Sequence, residues 1–213
     1  MILNIAFVLC VLILALCTSV IVAIGVSGLI FWGDAHYLQL DLVVNLSQKQ
    51  IWHNYQQIMA YLTRPWLPRL QLANFSSSAA GLEHFQEVRQ LFILTAVMWL
   101  LSLCLLYWWQ KRQALPALLQ INQKSLGKIN LIIIIIALLA SMNFDTLFVI
   151  FHKILFRNNN WLFDPNKDPV INILPDTFFA HCFLVAFIVF EGLLLLFWLY
   201  GRQKQKHIAN NNK

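Results

Sequence analysis

Ile2–Trp32, ILNIAFVLCVLILALCTSVIVAIGVSGLIFW, runs for 31 residues without one charged side chain. A bilayer core needs about 20 consecutive apolar residues per helix, so this stretch spans with tilt to spare. Three further runs follow at Leu91–Trp109, Ile129–Ile150 and Phe178–Tyr200. The chain as a whole is 60% hydrophobic and 11% charged, with a mean hydropathy of +0.67. Soluble domains carry about 25% charged residues. The expected fold class is therefore an all-α membrane protein. It has four transmembrane helices in a single integral membrane domain over 1–213, with spans at about 2–32, 91–109, 129–150 and 178–200. The first run has no basic n-region and exceeds the length of a signal h-region, so it reads as a retained span.

The net charge of +6 suggests nucleic acid until it is placed along the chain. Lys111, Arg112, Lys124 and Lys128 fall in one short connection, and Arg202, Lys204, Lys206 and Lys213 in the tail, with no Asp or Glu beside them. That is the cytoplasmic bias of membrane proteins, and no nucleic-acid partner is expected. Tyr107-Trp108-Trp109 and Trp198 with Tyr200 mark the same boundary as aromatic belts. Both termini are then cytoplasmic, and segments 34–90 and 152–177 lie outside. These outer segments hold seven Lys/Arg and seven Asp/Glu. Cys10, Cys17, Cys104 and Cys182 lie in apolar runs and read as small core residues.

The first outer segment is too long for a bare connector. Ile51, Trp52, Tyr55, Ile58, Met59 and Leu62 recur at helical spacing, and Ser47 with Gln50 fits a capping box before them. The spacing predicts an extracellular amphipathic helix with its apolar face in lipid, ended by Pro65 and Pro68. Ser77 or Ser78 then caps a helix that runs from about Ala80 into the second span.

Polar chemistry collects in these outer parts. Glu87 stands one turn after His84, on the same helix face. His84 lies roughly 10 Å beyond Leu91 by helical rise, near headgroup level and near a helix N-terminus, where a neutral ring able to act as a base is favoured. The plainer reading is an interfacial histidine that hydrogen-bonds its neighbours. His152 ends the third span, where the dipole favours the charged ring, so the pair suits a base and an acid. Taken singly, His152 equally reads as a boundary anchor. Asp145 lies two turns before His152, within the third span, and can orient it or pair with a base from another helix. Glu191, in the fourth span, reads as a structural acid held within the bundle. Asn158, Trp161, Asp164 and Asp168 form an outer loop cap with turn-favouring Asp-Pro pairs, and Arg89 or Arg157 is available for an anion. No His-Glu-x-x-His motif, Gly-rich phosphate loop or Gly-x-Ser-x-Gly elbow occurs.

Two segments resemble the motifs of one family. Leu82-Glu83-His84-Phe85-Gln86-Glu87-Val88-Arg89 resembles its His-x-x-Asp-Val-Lys/Arg motif, with Glu87 in place of Asp. Phe151-His152, Phe156, Asn158, Trp161, Asp164-Pro165 and Asp168, through Pro175 and Phe178-Phe179, resemble its longer second motif. The family is the lipoprotein intramolecular transacylases of Gram-positive bacteria, four-span proteins of the cell membrane with outward-facing sites. The resemblance implies catalysis by His84 and His152, supported by Glu87, Arg89, Asn158, Trp161, Asp164 and Asp168; Asp145, outside both motifs, is a supporting candidate by its place on the helix alone. It implies a diacylated lipoprotein N-terminus as substrate, in membrane lipid, with no cofactor and no metal. One ester-linked acyl chain of the diacylglyceryl-Cys moves to the α-amino group, giving a lyso-form lipoprotein. A metal-dependent membrane hydrolase and a non-catalytic accessory subunit are the competing expectations; a chelator and His→Ala substitutions separate them.

Overall fold

The charge-free run at the start becomes α1 (Ile2–Tyr37). After it come α2 (Leu40–Val44), α3 (Gln48–Thr63), α4 (Ala79–Lys111), α5 (Leu115–Ser141), α6 (Phe144–Leu155), a 3-10 turn (Pro169–Ile173) and α7 (Asp176–Asn211). This computed structural model describes residues 2–211, excepting the side chains of 139–141 and 204–211. Among the described residues every regular element is helical. Among the described residues four stretches are long and apolar enough to cross a bilayer: Ile2–Tyr37, Ala79–Lys111, Leu115–Leu138 and Asp176–Gln203. The chain is a multi-pass membrane protein.

The third span differs from the expected 129–150. α5 starts at Leu115, so Lys124 and Lys128 sit on a helix and not in a loop. Pro116 in its first turn costs no hydrogen bond there. The apolar run then breaks at Asn143, whose side chain accepts from Thr146 N–H at 3.0 Å and caps a new helix, α6. Asp145 consequently stands in the first turn of α6, where the helix dipole favours a carboxylate.

The chain divides into two compact units. Unit 1 takes the residues up to Ala23, Thr95–Met142 and those from Leu184. Its core joins Phe7, Val11, Leu126 and Leu194, with the Trp109 ring edge-on to Phe7 at 5.3 Å. Asn130 Nδ2 donates to Glu191 Oε2 at 2.7 Å, which gives this acid its expected structural partner.

Unit 2 takes Ile24–Leu94 and Asn143–Phe183. The capping box at Ser47 forms as expected, with Ser47 N–H donating to Gln50 Oε1 at 3.0 Å. The apolar face of α3 meets protein, not lipid. Ile51, Tyr55, Ile58 and Leu62 are buried in a core with Phe31 and Phe178. The Tyr55 ring stacks on Phe31 at 4.0 Å, and its hydroxyl donates to Ser27 Oγ at 2.7 Å. Hydrocarbon offers a phenol no such acceptor, so the half-polar face prefers this partner. Arg64 is extended before Pro65 and ends α3. Asn54, fully buried, pins the segment beyond: its Nδ2 donates to Asn74 Oδ1 at 2.8 Å and its Oδ1 accepts from Asn74 N–H at 3.1 Å.

Asn54→Leu keeps the branched shape but strands the polar groups of Asn74. It is expected to destabilise unit 2 by about 1–3 kcal/mol. Thermal unfolding in detergent, against Asn54→Gln as the polar control, reads this directly.

Candidate active site

The site begins where the second half of the outer sequence grips the start of α4. Asp168 accepts from Ser78 N–H at 2.7 Å and from Ser78 Oγ at 2.6 Å. Ser78 Oγ in turn accepts from Gly81 N–H at 3.0 Å, so the expected serine cap forms. A Cβ on Gly81 would collide with the Asp168 carboxylate and lie 2.9 Å from Phe163 Cε1. This close approach needs glycine, and nothing in the spacing of the sequence announced it.

One turn further along α4 stands His84, 6% exposed. Its ring centroid is 5.8 Å from that of His152 on α6, itself 7% exposed. Phe156 lies edge-on to His84 at 4.8 Å and Phe163 at 5.6 Å. Trp161 stacks on His152 at 4.8 Å, and its indole N–H donates to the Asn158 carbonyl at 3.0 Å. Two imidazoles thus share a dry aromatic box made from both outer segments.

The second ring nitrogens separate their roles. His152 Nδ1 is 2.8 Å from the Phe148 carbonyl, which can only accept, so Nδ1 carries the proton and Nε2 is free. His84 Nδ1 faces Glu87 Oε2 at 3.8 Å, and both atoms are buried without a hydrogen-bond partner. Glu87 is held there by its other oxygen, which accepts from Asn158 Nδ2 at 2.6 Å. A shift of under an ångström closes a histidine–carboxylate bond that leaves His84 Nε2 as the free basic atom.

Burial pushes His152 below the ordinary imidazole value, with the Phe148 carbonyl acting weakly the other way. This runs against the expectation that the end of α6 favours a charged ring: loss of water on burial disfavours the charge. Asp164 is half-buried and internal to the loop. The Asn166 N–H beside it holds its carboxyl below the usual range, and its backbone carbonyl accepts from Asp168 N–H at 2.8 Å. Arg89 is not brought to the histidines: its guanidinium donates to the Leu67 carbonyl at 2.7 Å and to that of Pro65, over the Tyr61 ring. Asp145 is exposed, and among the described residues no hydrogen bond or ion pair joins it to His152. His181 is taken by Asp34, at 3.0 Å. Among the described residues no three His, Cys, Asp or Glu side chains cluster closely enough to hold a metal.

A family model described as lipoprotein intramolecular transacylase Lit matches residues 5–179, and the chain belongs to that family. No curated protein gives a significant match. Among solved structures, the chain is similar to the membrane-integral lipoprotein intramolecular transacylase Lit from Bacillus cereus. The TM-score is 0.73 at 22% identity, covering 97% of this chain and 98% of that one. A histidine-to-arginine variant of the same protein gives a TM-score of 0.72 at 21% identity, covering 98% and 95%. At these identities the likeness establishes the shared fold.

Two outcomes follow from the packing. Gly81→Ala is expected to cost about 1–3 kcal/mol by overpacking and to lower activity as Asp168 moves; a melting curve and a turnover assay read both. For acid stability, His152 is depressed when folded, so the unfolded chain binds its proton first. Stability is therefore lost as pH falls from about 6.5 toward the depressed value. Melting temperature measured between pH 7.5 and 4.5 should drop through that window, and His152→Gln should make the drop smaller.

Proposed function

We propose that this membrane transacylase moves an ester-linked acyl chain of a lipoprotein's diacylglyceryl-Cys to the α-amino group of that cysteine, using His84 and His152 as a pair of neutral bases. The observation that carries the reading is the shared box: two buried imidazoles, each with Nδ1 occupied or aimed at an acceptor, and each with Nε2 left for substrate.

The nucleophile explains why two bases are useful. An α-amino group has a pKa of about 7.7–8.0 and arrives mostly as ammonium. On its way to an amide it must lose two protons. His152 Nε2 takes the first and passes it to solvent before the attack, leaving a free amine and a neutral ring. The nitrogen attacks the ester carbonyl carbon, and the electron pair of the C=O bond moves to oxygen. His84 Nε2 takes the second proton from nitrogen while Glu87 stabilises the imidazolium that forms. The tetrahedral centre collapses, the C–O bond to glycerol breaks, and His84 returns its proton to the leaving oxygen. The net result is one amide, one alcohol and the proton the ammonium brought.

Arg89, Asn158 and Trp161 hold other acceptors: Arg89 backbone carbonyls, Asn158 the Glu87 carboxylate and Trp161 a carbonyl. Donor and acceptor belong to one molecule, so orientation alone supplies about 7–11 kcal/mol of the barrier. We place both termini in the cytoplasm and the site facing outward. Support for this comes from the eight basic residues in the inner connection and tail against the balanced outer segments.

His84→Ala and His152→Ala are each expected to slow transfer by about 10²–10⁴-fold, with Glu87→Gln intermediate. The assay is mass spectrometry of a lipoprotein N-terminal peptide from cells with and without the protein. Acyl-chain relocation to the amine must appear with the wild type and vanish with both histidine variants. An unchanged diacylglyceryl terminus in cells carrying the wild type removes the proposal.

A further inference from the structure

Unit 1 contains a groove of about 390 Å³ away from the residues used above. Lys124 and Lys128 line one part of it, and Leu131, Leu195 and the Trp198 indole line another. The two lysines stand four residues apart on α5, so they share one face. Among the described residues neither makes an ion pair, although like charges at this spacing repel. The indole that forms the apolar wall is seated deliberately. A Cβ at Gly127 would lie 2.7 Å from Trp198 Nε1, so only glycine lets the ring lie against α5. The Arg202 guanidinium covers the indole at 5.3 Å and adds a third cation. Among the described residues no carboxylate lines the groove, although Asn130, which does, holds the Glu191 carboxylate at 2.7 Å. The nearest acid on α7, Glu191, is one turn beyond Leu195 and is bonded to Asn130.

We infer that this groove binds the phosphate headgroup of an anionic phospholipid. Lys124 and Lys128 meet the phosphate; glycerol and the first chain carbons run along Leu131, Leu195 and Trp198. Two cations alone would suit any phosphate. The adjoining apolar wall selects an anion that carries hydrocarbon, which in a membrane is a lipid. Under the topology proposed above, that lipid belongs to the cytoplasmic leaflet. It is a structural or regulatory ligand, separate from the lipoprotein substrate.

The test is native mass spectrometry of the full-length protein in detergent, with added phosphatidylglycerol or phosphatidylcholine. The wild type is expected to retain phosphatidylglycerol at least about fivefold better. The double variant Lys124→Gln/Lys128→Gln should fall to the phosphatidylcholine level, and the double Lys→Arg variant should keep retention. Each single Lys→Gln variant, expected to lose part of it, covers the case where the double variant does not fold. Transacylation in phosphatidylcholine micelles should be unchanged by these substitutions, so a failure here leaves the catalytic reading standing. Equal retention of the two lipids overturns the inference, and so does full retention by the double Gln variant. Displacement of the lipid by glycerol 3-phosphate or inorganic phosphate alone also overturns it, by showing a site for free anions.

Discussion

Asp168 gripping Ser78 is the contact on which the histidine site rests. One carboxylate takes the backbone N–H and the hydroxyl of a residue 90 positions earlier. That hydroxyl caps α4, and α4 carries His84 and Glu87 at its next turns. Asp168 also ends the loop that carries Asn158 and Trp161, which bind Glu87 and cover His152. Two outer segments far apart in sequence are thereby registered to each other. Charge-assisted bonds to a buried carboxylate are among the stronger polar contacts a protein makes, and leaving one partner alone is costly. The glycine at 81 is the geometric condition for this grip, because any side chain there would displace the acid.

Burying two imidazoles among Phe156, Phe163 and Trp161 sets the chemistry as much as the fold. Water is excluded from the rings, and two imidazoliums with centroids 5.8 Å apart would repel. A site of this kind does not want a resting charge. It suits a reaction whose substrate brings the positive charge in and must be relieved of it. The aromatic walls have a second use, since they tolerate the hydrocarbon and glyceryl ester of a lipid-anchored substrate where an open polar cleft would not.

Features marked by side chains with a fixed spacing were readable in the sequence: the four apolar runs, the Ser47 box, the Ser78 cap, and the segments carrying His84 and His152. Features decided by backbone or by the identity of a neighbour were not. The run from Ile129 stays apolar through Met142, and only Asn143, a residue that also occurs in loops, divides α5 from α6. The pattern of α3 is the same whether its face meets lipid or Phe31 and Phe178. Arg89 looked available because its acceptors are the carbonyls of Leu67 and Pro65, and any residue has a carbonyl. For His152 the dipole argument had the right geometry and the wrong magnitude, since dipole effects fade within a turn while burial acts on the whole ring.

Glu87 shows how the local sequence and the distant loop share one task. The family motif that this segment resembles has an aspartate there, one methylene shorter. On a helix a side chain at i+3 already lies beside His84, so a longer acid needs something to keep it from swinging away into other rotamers. Asn158 does this by holding one carboxylate oxygen at 2.6 Å, which leaves the other, buried and unpartnered, 3.8 Å from His84 Nδ1. That gap is too long for a hydrogen bond and too short for water to enter. Its two unmet buried groups carry a standing cost that is removed only when they meet. The meeting is most favourable when His84 becomes positive, which is the moment the proposed proton transfer would use it.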